Sequence, residues 1–362
     1  MGGAKRHLDN MVEKLSRQAP QHNFFILVND RYEHDWNAEN VRVITYPIAL
    51  SNGLKRLWFD NVQIHRIVEK KKIDLLVSFA NFGPYKARCR HILFETNALY
   101  FCDNIRHLYS RKARLVSDMR KLLIKLSGTH ADLIVTPSES FKNQLERSLG
   151  FPPARMEVLY HAMDRESLGE TKKSESDEED EKVRFVCTSH LTRHKRVEVL
   201  LEAVKLLKED PEIPKAFHVK CTFDRRDNRG YYDELTNTIE QEKLGELVEF
   251  TGRVDQNEMA RLYTEADCMV HTTACESFGF ALLEAKIFRL PTICSDIPVN
   301  KEIAKNAALY FKTDDPRDLA RQMKRFILER PDDFDYEDEL IAWNWERYAE
   351  KFLNIIERTA HG

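Results

Sequence analysis

Glu276 and Glu284 stand in an E-x7-E arrangement within ACESFGFALLEAKIF (274–288), on either side of a glycine-containing turn. The preceding ADCMVHTT (266–273) reads as a buried strand, and the residues from Gly279 onward read as an apolar helix. A strand turning into a helix aims free backbone N–H groups and the positive end of the helix dipole at one point, which suits an anion. Carboxylates beside that point are good acceptors for pairs of hydroxyls. An anion held between hydroxyl-rich groups describes a nucleotide sugar. The same residues also fit a plainer arrangement, with Glu276 capping the helix and Glu284 solvated on its surface.

Three further stretches bear on this chemistry. VRFVCTS ends in HLTRHKR (190–196), which puts His190, Arg193, Lys195 and Arg196 at the carboxyl end of a strand. Cations there would neutralise a diphosphate, although a basic helix start of purely structural kind has the same composition. EFTGRVD (249–255) ends a strand on Gly252-Arg253-Val254, where backbone could approach a nucleobase or simply turn. LYHAMD (159–164) brings His161 to the end of another strand, as a hinge residue or a site residue. No convincing D-x-D metal loop is found; Asp314-Asp315 and Asp332-Asp333 read as turn and cap residues.

The elements that must position these residues alternate along the chain. Short β-branched strands at 23–29, 41–47, 74–79, 90–96, 131–138 and 156–161 are interleaved with helices at about 3–18, 53–71, 105–126 and 139–149. The rhythm repeats in strands 183–189, 217–223, 248–254, 266–273, 291–296 and 307–311, with helices between them and after Pro316. Such alternation predicts two parallel-sheet α/β domains, with ligands outside the carboxyl ends of the strands and in the cleft between paired domains. The expected division is 1–164, an acidic linker or loop at 165–182 (ESLGETKKSESDEEDEK) and 183–342, with a closing helix at about 343–358. Met1-Gly2-Gly3 opens directly into a helix, a turn that normally follows a strand, so the first strand of the first sheet is expected to be absent.

Length and composition agree with this division. A chain of 362 residues, 42% hydrophobic and 32% charged, is a globular protein too long for one ordinary core. No apolar run approaches a membrane span and no charged-then-apolar leader follows Met1, so a cytoplasmic location is expected. Seven cysteines without a C-x-x-C pair read as scattered thiols of a reducing compartment. The net charge of −3 hides an asymmetry: residues 1–164 carry +8 and the remainder −11. The densest basic part, IRHLYSRKARLVSDMRKLLIKL (105–126), has Lys and Arg between apolar residues at helical spacing. It fits a helix lying on a membrane surface as well as an ordinary solvated face. Nothing indicates a nucleic-acid partner.

Taken in order, these residues resemble the retaining family 4 glycosyltransferases of the GT-B fold. The resemblance runs from Gly2 to about Glu357 and is most specific from VEFTGRVDQNEMARLYTEADCMVHTTACESFGFALLEAKIF to RLPTICSDIPVNKEI. In the first half it rests on the Gly-Gly helix, ADLIVTPSES and VLYHAMD, and near the end on WNWERYAEKFLNII (343–356). The resemblance implies two Rossmann-like domains facing each other, the closing helix packing back on the first. It implies transfer of a hexosyl group, mannosyl or glucosyl, from a nucleotide-diphosphate sugar to a glycan or lipid-linked acceptor.

By the same resemblance Glu276 and Lys195 are the catalytic pair, on the donor sugar and the diphosphate. Glu284 would hold the ribose; Phe278, Gly279 and Phe280 would offer backbone N–H groups; Arg253 and Val254 would touch the base. Gly2 and Gly3 would approach the donor phosphate from the first domain, and Asn97 and His161 would stand on the acceptor side. His190 falls where many members have arginine, with Arg193 or Arg196 able to compensate. Two other departures are Glu95 and Asn97 in RHILFETNALYF (90–101), where many members place a histidine, and Arg289 in FRLP, where a glycine is common. No cofactor or metal is implied. A phosphorylase-like enzyme and a non-catalytic sugar-nucleotide-binding protein are the alternative readings on the same fold, and peripheral membrane contact through 105–126 is a further expectation.

Overall fold

The computed structural model of the chain describes residues 3–47, 53–79, 81–163, 182–213, 217–337 and 343–361. Gly2, Asp164 and nearly all of the acidic segment 165–182 lie outside them. Among the described residues, twelve strands follow one another as β1 (Phe24–Asn29), β2 (Val41–Tyr46), β3 (Leu75–Ser78), β4 (Arg90–Phe94), β5 (Leu133–Thr136) and β6 (Met156–Val158), then β7 (Val183–Cys187), β8 (Phe217–Cys221), β9 (Val248–Phe250), β10 (Cys268–His271), β11 (Thr292–Ser295) and β12 (Ala308–Phe311). Every ladder is parallel. The helices between them are α1 (Gly3–Gln18), α2 (Gly53–Trp58), α3 (Ile64–Lys71), α4 (Arg111–His130), α5 (Glu139–Leu149) and α6 (Val197–Glu209). They continue as α7 (Arg229–Gln241), α8 (Gln256–Glu265), α9 (Phe280–Ile287), α10 (Pro298–Ala304), α11 (Pro316–Glu329) and α12 (Trp345–His361). Among the described residues, no helix is long and apolar enough to cross a membrane.

The chain forms two compact units. The first comprises 1–101, 115–163 and 343–362, the second 102–114 and 164–342. In the first unit the ladders join β1 to β2 and run β3-β4-β5-β6. No ladder among the described residues joins these two sheets, yet they share their cores, and the two-residue strand period shows how. Phe24, Ile26, Leu75 and Val77 pack on the face covered by α1 and α12, together with Met11, Val12, Trp345, Tyr348 and Phe352. The intervening Leu27 and Leu76 turn to the opposite face, against Phe59, Ile64 and Val68. Among the described residues, the strands of the second unit form one sheet, β12-β11-β10-β7-β8-β9. Its core runs from Val183, Phe185 and Val219 in the strands to Val197, Leu201, Leu235, Met323 and Phe326 in the helices.

Two expectations need correction. The continuous helix predicted over 105–126 is split: Asp103–Leu108 is a 3-10 turn, Tyr109 is extended, and α4 starts at Arg111. Ser110 accepts a hydrogen bond from the Ala113 amide at 3.3 Å, and a serine that satisfies a free helix N–H favours starting the helix there. The expectation of scattered thiols also fails, because Cys102 and Cys275 are joined in a disulfide within the second unit. The bond spans 173 residues, a pairing that sequence spacing does not reveal.

Gly128, inside α4, shows how tightly that helix meets its neighbour. A Cβ at this position would run into the ring of the buried Phe151, with Cε1 at 2.9 Å. On an open helix face Gly→Ala adds up to about 1 kcal/mol of stability. Here the overlap reverses the sign, and Gly128→Ala is expected to cost about 1–3 kcal/mol. A urea midpoint shifted upward by this substitution would contradict the packing.

Candidate functional site

In the second unit, β10 and β7 are neighbours, and the chain leaving each at its carboxyl end meets the other. After β7 it makes a short 3-10 turn, Arg193–Lys195, and enters α6 through Arg196 in the left-handed conformation, φ 51°. After β10 the residues 272–279 lead into α9, which Gly279 caps at φ 88°. Positive φ carries no steric cost for glycine, which lets the loop turn sharply into the helix. Hydrogen bonds stitch the two turns together. Thr272 Oγ1 donates to the Lys195 carbonyl at 2.6 Å, and the Ala274 amide donates to the His194 carbonyl at 2.8 Å.

This stitching delivers Lys195 and Glu276 to one place. Lys195 Nζ donates to Glu276 Oε1, and His271 Nε2 lies 3.6 Å from the same oxygen. Both side chains of the ion pair are mostly covered, with 17% and 15% of their surface exposed. Burial alone would raise the Glu276 carboxyl, but Lys195 first and His271 second outweigh it and hold the group well below the usual carboxylate range. Burial lowers the affinity of His271 for a proton, and it lowers His194 to about 4, with Lys195 adding to the effect. At neutral pH the site therefore holds an ionised carboxylate between a cation and neutral imidazoles.

Glu284 lies within α9 and is held by a partner from α8. Tyr263 in α8 donates to Glu284 Oε2 at 2.7 Å. The phenol has one proton, so the 2.8 Å contact with Thr188 Oγ1 has the threonine as donor. Tyr263 and Thr188 are both buried, so the second carboxylate is positioned by a polar chain running down to the end of β7. Phe278 is buried and meets Phe280 edge-on at 5.3 Å, while Phe280 itself is 43% exposed.

The other predicted cations gather elsewhere in the unit. His190 Nδ1 stands 3.3 Å from Asp227 Oδ2, and Arg253 Nη2 donates to Asp227 Oδ1 at 2.7 Å. Asp227 also accepts from the Leu191 amide at 3.1 Å, so it organises the turn after β7 and the Gly252–Val254 turn together. His190 is 77% exposed at this position. Arg193 donates to Glu234 at 2.7 Å and stacks over the Tyr231 ring. Arg196 bonds Asp314 and Glu198. Arg193 and Arg196 are thus already engaged within the fold, whereas Lys195 is the cation set against Glu276.

The first-unit candidates have contacts of their own. Gly3 opens α1. Asn97 caps a short turn by accepting from the Leu99 amide at 3.1 Å. The His161 ring meets His7 edge-on at 4.9 Å, and burial pushes its proton affinity well below the ordinary range. Glu95 is fully buried at the end of β4, and burial raises its carboxyl well above the usual range, favouring the neutral acid. Arg289 takes φ 55°, the left-handed conformation that glycine adopts freely, and uses the position to reach Glu337.

Sequence reasoning missed His271, Tyr263 and Asp227. His271 and Tyr263 both lie in stretches quoted for the resemblance, as VHTT and RLYTEAD. Their signal was a polar tip at the end of a buried strand and an aromatic hydroxyl on a helix face turned to the core.

Residues 1–167 match the family described as "Glycosyltransferase Family 4", and residues 169–341 match "Glycosyl transferases group 1". Among curated proteins, the chain is 23% identical over 290 residues to the O-antigen chain mannosyltransferase RfbU of Salmonella typhimurium, covering 80% of this chain and 77% of that protein. It is 34% identical over 99 residues to the serotype-specific mannosyltransferase WbdA of Escherichia coli, a match limited to 27% of this chain and 12% of that one. Among solved structures, sucrose-phosphate synthase from Thermosynechococcus elongatus superposes with a TM-score of 0.73 at 16% identity, covering 99% and 93% of the two chains. HepE from Anabaena, solved with UDP and glucose, gives 0.69 at 16% identity, over 99% and 96%.

Proposed function

The chain belongs to the family 4, group 1 glycosyltransferases and has their GT-B fold, and from that premise we propose that it moves a hexosyl group from a nucleotide-diphosphate sugar to a glycan or lipid-linked acceptor, with retention at the anomeric carbon. Mannosyl is the group that the named mannosyltransferase relatives favour, with glucosyl the other candidate. The observation that carries the reading is the Lys195–Glu276 pair, made where two strand ends are stitched together and one turn before α9.

Each part has a task in that reaction. When the glycosidic bond breaks, negative charge grows on the departing diphosphate. Lys195 and the N-terminal amides of α9 stabilise that charge in a largely covered site, where it counts for more than in water. Glu276 accepts hydrogen bonds from the hydroxyls of the transferred sugar, and its ionisation, secured by Lys195 and His271, keeps it a pure acceptor. Glu284, fixed by Tyr263, accepts from the ribose hydroxyl pair. Arg253 and Val254 border the base, and His190 with Asp227 supports that turn. The acceptor attacks on the face from which the diphosphate leaves, and a diphosphate oxygen takes its proton, so no enzymic nucleophile is required. Asn97 and His161 are first-unit candidates for the acceptor side in the same scheme, while Gly3, and Gly2 by sequence, are candidates for the donor phosphate.

Glu276→Ala is expected to abolish release of nucleoside diphosphate from the donor in the presence of acceptor, while far-UV circular dichroism stays unchanged. Lys195→Ala is expected to lose about 2–4 kcal/mol of transition-state stabilisation, read as kcat/KM. Wild-type turnover in the Glu276 variant would remove the assignment.

A cytoplasmic enzyme resting on a membrane completes the proposal. Along α4, Leu115, Met119, Leu122 and Leu126 fall at helical spacing and are all exposed, and Arg111, Lys112 and Lys125 lie to the sides of this stripe. An apolar stripe edged with cations suits an interface with anionic headgroups, each cation adding about 1 kcal/mol near such a surface. The chain is expected to sediment with vesicles rich in phosphatidylglycerol, and Leu115→Glu with Met119→Glu to prevent it. Equal sedimentation of the two forms would exclude α4 as the contact.

A further inference from the structure

We propose that Cys102 and Cys275 form a thiol–disulfide site through which a dithiol lowers the affinity of the donor loop. The inference rests on the donor-binding reading of Glu276, because Cys275 is the residue immediately before it. The loop is gripped from two sides. On one side, the His194 and Lys195 carbonyls take hydrogen bonds from Ala274 and Thr272. On the other, the segment 102–104 holds Ala274 and Cys275, by Asn104 Nδ2 donating to the Ala274 carbonyl at 2.9 Å and by the disulfide. The disulfide is the covalent member of this grip, and it is the member that a redox partner can remove.

The location of the bond favours such exchange. Cys102 is half-buried at the start of a surface turn, whereas Cys275 is only 2% exposed, so an incoming thiolate meets the Cys102 sulfur first. The remaining five cysteines are free. Cys187, Cys221, Cys268 and Cys294 are buried, and burial pushes the thiols of Cys221, Cys268 and Cys294 upward, away from the reactive thiolate. Cys89 is half-buried and burial pushes its thiol upward as well, which leaves the bonded pair as the favoured place for exchange.

The step balances as ordinary exchange. One thiolate of the dithiol attacks the Cys102 sulfur, the S–S bond breaks, and Cys275 leaves as thiolate and takes up a proton. The second thiol of the reductant then attacks the mixed disulfide, releases Cys102 as a thiol, and closes the reductant into its own disulfide. Two electrons pass from the dithiol to the protein. With the covalent hold gone, the 274–276 turn keeps only its hydrogen bonds, and Glu276 is less firmly fixed against Lys195. Linkage makes the effect reciprocal: whatever factor reduction removes from donor binding, bound donor adds to the resistance of the bond.

The test uses the full chain, treated with diamide or with dithiothreitol, alkylated after denaturation and weighed. Oxidised protein should take up five alkyl groups and reduced protein seven. Calorimetric titration with UDP and GDP should then show affinity weaker by about fivefold or more in the reduced form, a coupling of ordinary size. Cys102→Ser should bind like the reduced chain whether or not dithiothreitol is present, and the preferred nucleotide should slow reduction of the wild type. Seven alkyl groups on the diamide-treated chain, or equal affinity with the bond shown to be cleaved, would overturn the proposal. Binding of neither nucleotide by either form would overturn the donor-loop reading itself, and this inference with it.

Discussion

The site depends on one ion pair between residues from different turns, Lys195 after β7 and Glu276 after β10. Neither turn could hold its charged residue in place alone. A lysine has a long, flexible stem, and a carboxylate this well covered is unfavourable without a partner. Adjacency of β7 and β10 in the sheet brings the turns side by side, and backbone hydrogen bonds to residues 194 and 195 fix their register. The pair neutralises itself in the structure, and in the proposed reaction the donor's diphosphate and hydroxyls divide its two charges between them.

The surrounding polar residues make sense as consequences of that pair. His271 and His194 stay neutral through burial, so Lys195 is the cation set against Glu276, and His271 adds only a polar contact at 3.6 Å. Glu284 is kept apart from the pair by its own support, the Tyr263–Thr188 chain rooted beside the same strand. Asp227 performs the equivalent service for the Gly252–Val254 turn, through His190, Leu191 and Arg253. Two carboxylates that looked alike in the sequence are thereby given different surroundings, one against an ammonium group and one against a phenol.

Much of this was legible from residue order, and the reason is local. Helix α5 runs over 139–149 as read, because Ser138 caps one end and Gly150, at φ 71°, closes the other. Helix α8 runs over 256–265 because Asp255 and Glu258 form a capping box. Strand alternation and the E-x7-E turn likewise announce themselves within a few residues. What stayed hidden depends on distant partners. Nothing near Cys275 points to Cys102, and charge alone does not separate Lys195, which finds Glu276, from Arg193 and Arg196, which find Glu234 and Asp314; only the family resemblance singled out the lysine. The division of the first unit's strands into β1-β2 and β3-β4-β5-β6 was hidden for the same reason, since ladders are pairings at long range.

Everything proposed for this site requires that the turns carrying Lys195 and Glu276 bind a nucleoside diphosphate. Thermal melting of the wild type and of Lys195→Ala against UDP, GDP and ADP at about 100 times the dissociation constant addresses this directly, since such a ligand adds about 2.7 kcal/mol of stability. One of the three is expected to raise the melting temperature of the wild type and to leave that of the variant unmoved. An unchanged melting temperature with all three, or the same rise in both proteins, would contradict it.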